Sequence, residues 1–184
     1  IAKGVVRNDL IEHLDLAATS LALAGIEIPK WMQGRNVLAK DYAKRDTVFA
    51  ARDRCDETME HIRSARTDGF KCIRNYLSER PHLQPNRYKD EKVIVQKLRE
   101  LHAAQKLDDL TEKLLFAEKR PKEELYDLAA DPFEVNNLAG DPKHKDTLEA
   151  MRKKLADWEE RTGDKGRDRE QPRGGVGKRL GTGP

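Results

Sequence analysis

The segment Arg52-Asp-Arg-Cys-Asp-Glu57 carries the densest group of side chains that could bind a ligand. The guanidinium groups of Arg52 and Arg54 can each form paired hydrogen bonds with an anion, and Asp56 and Glu57 can accept hydrogen bonds from hydroxyl groups. The segment follows a short apolar run that is typical of a buried strand, and loops at strand ends often carry binding residues. The alternative is a solvated loop whose charges pair with one another, which the weakness of surface ion pairs favours.

Metal-binding and thiol chemistry have less support in the sequence. The carboxylates of this segment lack the glycine-turned spacing of a calcium loop, so no metal site is predicted. Cys55 and Cys72 are too few for a disulfide framework and lack metal-ligand spacing, so two separate thiols are expected rather than one bridge. His61 has no second His or Cys at ligand spacing, and we expect a hydrogen-bonded structural histidine.

A helix is predicted near the amino terminus, over residues 9–24. Asp9 and Glu12 have the spacing of a capping box, and Gly25 stands where a left-handed residue often ends a helix. Apolar side chains occupy most of the circumference, which indicates a helix buried between two layers. Few segments of this chain could cover it.

The remaining pattern predicts an antiparallel sheet packed against helices, which is the α+β class. Asp68-Gly69 separates two strand-like runs and favours a hairpin with a type I′ turn. Asp131-Pro132 and Asp141-Pro142 each have the form of a helix start. The predicted strands are residues 47–51, 59–67, 70–77 and 123–128, and the later helices are residues 92–105 and 143–161. The last helix carries a stripe of Leu148, Met151, Leu155 and Trp158 that should face the sheet.

Composition limits the classes of function. Charged residues make up 38% of the 184 residues and mean hydropathy is −0.86, which leaves few apolar residues to form the core of a self-sufficient domain. A net charge of +3 does not favour nucleic-acid binding, and no apolar run is long enough to span a membrane. The chain begins with Ile1 and shows no signal peptide, so we expect it to start within a longer protein.

Four blocks of the sequence resemble the type I sulfatases, the formylglycine-dependent family with an alkaline-phosphatase-like fold. The most specific block reads Glu-Leu-Tyr-Asp-Leu-x-x-Asp-Pro-x-Glu-x-x-Asn-Leu and is similar to the closing segment of that family. The first block departs from the family pattern because Ala18 stands where the family has proline. The blocks are residues 13–25, 32–36, 62–75 and 120–142. The insert after residue 78 is most similar to the branch that includes N-sulfoglucosamine sulfohydrolase.

The resemblance implies a particular organisation of the chain. Residues 1–45 would be the end of the catalytic core, with its last helix, and residues 46–162 would be the C-terminal subdomain of the sulfatase fold. That subdomain would hold a small antiparallel sheet of about four strands, packed with a long C-terminal helix. Residues 163–184 are rich in Gly and Arg and are expected to be a disordered tail.

The resemblance also implies an enzyme that hydrolyses sulfate esters or sulfamates of a sulfated glycan or an aryl sulfate. The family makes its formylglycine from Cys or Ser in a Cys/Ser-x-Pro-x-Arg motif and uses a bound Ca²⁺, and neither cysteine of this chain has that context. We therefore expect no catalytic residue and no metal ligand here, and a chain that is inactive without the upstream catalytic region. Arg52, Arg54, Asp56 and Glu57 would lie at the rim of the substrate pocket, where they would contact sulfate, uronate or sugar hydroxyls. A sulfatase typical of the family would be periplasmic or secreted.

Two other functions stay open from the sequence. The chain could be a free-standing α+β interaction module that binds a protein or an anionic glycan through residues 52–57. It could also bind nucleic acid through the basic tail, Arg167 to Arg179, although the near-neutral charge of the rest disfavours this. The upstream reading frame separates the first alternative from the enzyme, because only the enzyme requires a Cys/Ser-x-Pro-x-Arg motif there.

Overall fold

The computed structural model describes residues 4–55, 57–166 and 168. A four-stranded antiparallel sheet in the order β1-β2-β3-β4 lies at its centre. The strands are β1 (Val48–Cys55), β2 (Thr58–Arg66), β3 (Phe70–Asn75) and β4 (Glu123–Asp127). The predicted hairpin and fourth strand are confirmed.

The helices lie before the sheet, in the insert between β3 and β4, and after the sheet. They are α1 (His13–Leu23), α2 (Arg87–Asp90), α3 (Val93–Ala103), α4 (Asp109–Thr111) and α5 (Lys145–Thr162). A π-helical turn, Glu112–Phe116, follows α4, and a 3-10 turn, Pro142–His144, precedes α5. None of the helices in the described ranges is long and apolar enough to cross a membrane.

The apolar core forms where α5 packs on one face of the sheet. The predicted stripe is confirmed, because Leu148, Met151 and Leu155 are buried against strand residues. Trp158 stacks on Phe49 with a ring-centroid distance of 5.3 Å. Burial of each large apolar side chain contributes about 1.5–3 kcal/mol. The strand residues of this core are Ala65, Cys72 and Leu125.

Helix α1 starts later than predicted. Its capping box joins Glu12 and Asp15, not Asp9 and Glu12, because Leu10 is held in an extended bridge with Arg45. The carboxylate of Asp9 instead forms an ion pair with a lysine at 2.6 Å. The predicted left-handed end of the helix is confirmed at Gly25, which has a φ of 72°.

Helix α1 is only partly covered by the described chain. Leu14, Leu16 and Leu23 are 41%, 49% and 65% exposed, respectively. Further exposed apolar side chains flank the helix at Ile11 and Trp31, which are 46% and 80% exposed. Burial of α1 between two layers, as predicted, would therefore require a further segment of protein to cover this face.

Two turns differ from the sequence-based predictions. The Asp68-Gly69 turn is not type I′, because Gly69 lacks the positive φ that this turn requires. Thr67 closes the turn instead: its N–H donates to the carbonyl of Phe70 at 2.8 Å, and its hydroxyl accepts the Phe70 N–H at 3.1 Å. A local side-chain bond thus replaces the expected backbone geometry.

Asp131 caps a loop rather than a helix. Its carboxylate accepts the N–H groups of Val135 and Asn136 at 2.9 and 2.8 Å, but Glu134 has a φ of 55°, which ends any helical path. Asp141 does act as the predicted N-cap, because it accepts the N–H of Lys143 at 2.9 Å. The prediction of two helix starts is therefore correct for the second and wrong for the first.

Candidate functional site

The predicted binding segment lies at the tip of the β1–β2 hairpin. The interpretation of residues 52–57 as a loop is wrong for its first four residues, because β1 continues to Cys55. Arg52 pairs with Ile62 and Arg54 with Met59 on β2, and the register shifts between these two pairs. Backbone pairing needs no apolar side chain, which is why the charged residues did not end the strand. Arg52 and Arg54 are both exposed.

The register shift between the two arginines is a β-bulge on β2, where Glu60 and His61 lie opposite the single residue Asp53 of β1. The carboxylate of Asp53 accepts a hydrogen bond from Arg63 at 2.7 Å. Bulges redirect side chains locally, and Asp53, which lies opposite this bulge, has a partner on β2. Asp53 therefore supports the hairpin and is not available as a free acceptor.

Arg63 is the most buried cation near the hairpin, with 1% of its side chain exposed. Besides Asp53, it donates to both carboxylate oxygens of Asp164, at 2.8 and 3.0 Å. Burial alone would lower the pKa of Arg63, but the hydrogen bonds to Asp164 and Asp53 outweigh it and raise the pKa. The guanidinium is a permanently charged link between β1, β2 and the chain after α5.

Glu57 fixes the other side of the tip. Its carboxylate accepts the N–H of Arg87 at 2.5 Å, and this backbone hydrogen bond lowers the pKa of Glu57. Thr58 donates to the carbonyl of Pro85 at 3.1 Å, so the start of β2 is also attached to the insert between β3 and β4. Glu57 is thus ionised and already has one backbone partner.

The structure brings Arg52, Arg54 and Glu57 to one end of the sheet, whereas Asp56 lies outside the described residues. The prediction for His61 is confirmed: the side chain is 3% exposed and its Nδ1 lies 2.9 Å from the carbonyl oxygen of Gly166. Sequence reasoning missed the link between Arg63 and Asp164. A signal existed, since an arginine on the same strand face as the buried Ala65 requires a counter-charge.

A cleft of about 990 Å³ lies elsewhere, between the start of α1, the start of β1 and the end of α5. Its central cation, Arg45, contacts Glu12 at 3.2 Å and Asp15 at 2.6 Å. These ion pairs attach α1 to the chain that enters β1. These ion pairs give the cleft a structural role, whereas Arg52 and Arg54 at the hairpin tip are exposed side chains that a ligand could reach.

Thiols and carboxylates are the remaining groups that could bind a metal ion or act as nucleophiles. No group of three or more His, Cys, Asp or Glu side chains there could hold a metal ion. Both cysteines are free, as predicted, with Cys55 exposed and Cys72 buried. Burial raises the pKa of Cys72 to about 11, so this thiol is not an activated nucleophile.

Comparison with known proteins identifies related enzymes. An ulvan-active sulfatase of Formosa agariphila is 36% identical to the chain over 156 residues, which cover 84% of this chain and 26% of the relative. The human N-sulphoglucosamine sulphohydrolase is 28% identical over 173 residues, covering 88% of this chain and 34% of the relative. No family model matches the chain.

A solved structure of a 2-O GAG sulfatase has the same fold over the matched region. Its TM-score is 0.53 at 23% identity, and the match covers 82% of this chain and 25% of that structure. The chain therefore spans about a quarter to a third of the length of the proteins it matches.

Proposed function

The chain matches the C-terminal portion of a sulfatase, and from this premise we propose that it is part of an enzyme that hydrolyses sulfate esters or sulfamates. The sequence match to an ulvan-active sulfatase, at 36% identity, is the observation that carries the proposal. Similarity to an ulvan-active sulfatase and to an N-sulphoglucosamine sulphohydrolase favours a sulfated glycan as substrate over a small aryl sulfate. The free-standing interaction module has no comparable support.

We place the catalytic machinery in the upstream region. No Cys/Ser-x-Pro-x-Arg motif occurs in the sequence, and the described residues do not fit a Ca²⁺ site. Calcium prefers six to eight oxygen ligands, which would have to come from other parts of the enzyme. This chain would then contribute binding and support rather than bond cleavage.

The first contribution is structural support for the catalytic region. Residues 1–45 would form the end of that region, and the partly exposed leucines of α1 would pack against the missing chain. The ion pairs of Arg45 with Glu12 and Asp15 would then transmit the position of α1 to the subdomain of residues 46–162. The exposed apolar face of α1 supports this role, because a face of that kind is normally covered by protein.

The second contribution is a rim for the substrate. Arg52 and Arg54 are exposed cations at one end of the sheet, where they would form hydrogen bonds with sulfate or uronate groups of a glycan. Asp56 and Glu57 would accept hydrogen bonds from sugar hydroxyls. Glu57 is held as a carboxylate by the backbone of Arg87, which supports an acceptor role.

Two measurements test the proposal. The 184-residue chain should show no turnover of an aryl sulfate with added Ca²⁺, whereas the full-length protein should turn it over; turnover by the 184 residues alone would contradict the proposal. In the full-length protein, Arg52→Ala and Arg54→Ala should each raise KM for a sulfated disaccharide by about tenfold. Arg66→Ala, an exposed arginine at the opposite end of β2, is the matched control and should leave KM unchanged.

A further inference from the structure

The chain reverses direction immediately after α5. Gly163 ends the helix with a φ of 64°, and the N–H of Asp164 donates to the carbonyl of Glu159 at 2.9 Å. A left-handed glycine followed by such a bond is a common way to terminate a helix and redirect the chain. We call residues 163–166 the C-terminal clasp, because they return to the same sheet face that α5 covers.

The clasp holds two buried side chains of β2. Asp164 forms the two-oxygen contact with Arg63 described above, and the carbonyl oxygen of Gly166 lies 2.9 Å from Nδ1 of His61. Both β2 side chains are at most 3% exposed. Planar pairing of a guanidinium with a carboxylate restricts orientation as well as distance.

Gly166 also contacts the guanidinium directly. A Cβ atom at this position would lie 2.3 Å from Nη2 of Arg63 and 2.4 Å from its Cζ, so any larger residue would displace the guanidinium. The close approach explains a glycine at this point of the clasp without any requirement for positive φ.

The clasp reaches the hairpin tip through the same guanidinium. An N–H at Nη1 of Arg63 donates to Asp53, the residue between Arg52 and Arg54 that lies opposite the bulge of β2. If Asp164 were lost, a buried cation would keep one carboxylate partner and would move toward solvent, and Asp53 would move with it. Because Asp53 lies opposite the bulge, its displacement would change the pairing there and the direction of the side chains of Arg52 and Arg54.

We infer that the C-terminal clasp sets the position of the β1–β2 hairpin tip, with Arg63 and Asp164 as positioning residues for the recognition of a sulfated oligosaccharide. The inference rests on the proposed function of the tip. The side chains of Arg63 and Asp164 are 1% and 15% exposed, so they would act on affinity through Arg52 and Arg54 and not by contact with the substrate. A substrate without a second sugar unit, such as an aryl sulfate, would be insensitive to them.

The test uses the full-length protein with Asp164→Asn, Gly166→Ala and the conservative Asp164→Glu. The control Asp157→Asn removes a carboxylate from α5 that forms an ion pair with Lys153 on the helix surface. Asp164→Asn and Gly166→Ala should raise KM for a sulfated disaccharide by about tenfold, with kcat unchanged and kcat/KM for an aryl sulfate unchanged. Asp164→Glu should restore part of the affinity, and Asp157→Asn should behave like the unaltered protein.

Hydrogen–deuterium exchange of the peptide that contains residues 49–57 gives a readout that does not depend on activity. It should become faster in Asp164→Asn and Gly166→Ala, while exchange in β4 stays unchanged. Unchanged exchange at the tip, or an equal loss of turnover for both substrates, would overturn the inference. The exchange result and the KM result can also disagree. If the tip exchanges faster but Arg52→Ala and Arg54→Ala leave KM unchanged, the clasp does hold the tip, but the tip does not bind substrate. The proposed role of the clasp in substrate recognition would then be overturned.

Discussion

Truncation of Leu16 to alanine measures whether α1 is covered in the full-length protein. The side chain is 49% exposed in the described chain, so about half of its surface is already removed from water. Full burial of a leucine contributes about 1.5–3 kcal/mol, and the contacts seen here therefore predict a loss of about 1 kcal/mol for Leu16→Ala. If the upstream region covers α1, the truncation leaves a cavity and costs about 2–5 kcal/mol. We predict the larger value.

The matched control is Leu110→Ala in α4, whose side chain is 45% exposed and which the proposal does not place against the upstream region. It should cost about 1 kcal/mol. Equilibrium urea unfolding of the full-length protein and both variants gives the two differences in the free energy of unfolding. A cost for Leu16→Ala that does not exceed that for Leu110→Ala would refute the reasoning that α1 belongs to a larger core.

Three further predictions concern backbone contact, pH dependence and thiol reactivity. Gly34→Ala should destabilise the full-length protein by at least about 2 kcal/mol, because its Cβ would lie 2.3 Å from a carbonyl oxygen of α1; an unchanged Tm would contradict this. Burial raises the pKa of Asp15, but hydrogen bonds from Arg45 and two backbone N–H groups outweigh it and lower the pKa. The ionised Asp15 contributes fully to the free energy of unfolding above the pKa of an aspartate in the unfolded chain, about 3.9. This contribution is lost as pH falls through the lower pKa of Asp15 in the folded protein, so Asp15→Asn should flatten the acid side of a stability–pH curve. Because Cys72 is buried with a pKa of about 11, iodoacetamide near pH 8 should modify Cys55 and leave Cys72 intact in the folded protein, as peptide mass spectrometry would show.

The buried faces of the helices and strands could be predicted from the sequence because apolar residues repeat at regular spacing within each element. The stripe of α5 recurs at helical spacing, and the runs that became β2, β3 and β4 alternate or lie between turn residues. Local capping was readable only in part. Asp141 caps as predicted, whereas Asp131 bonds to a loop because Glu134 adopts positive φ, a choice that depends on the surrounding contacts such as the 2.6 Å ion pair of Glu134 with Lys71.

The candidate site, too, could be predicted only in part from the sequence. Residue types alone singled out Arg52, Arg54 and Glu57, since guanidinium and carboxylate groups are what an anionic sugar requires. Their placement on a strand end rather than a loop depends on pairing with β2, and a charged side chain does not predict whether its backbone is paired.

By itself, the sequence determined the α+β class, the positions of three strands, the stripe of α5 and the likeness to sulfatases. Only the tertiary structure decided that Arg63 meets both Asp164 and Asp53, the residue between the two exposed arginines. The physical reason is the separation along the sequence of the residues that interact. Amphipathic periodicity arises from neighbours a few residues apart, whereas the Arg63–Asp164 contact joins residues 101 positions apart and exists only after α5 has packed on the sheet.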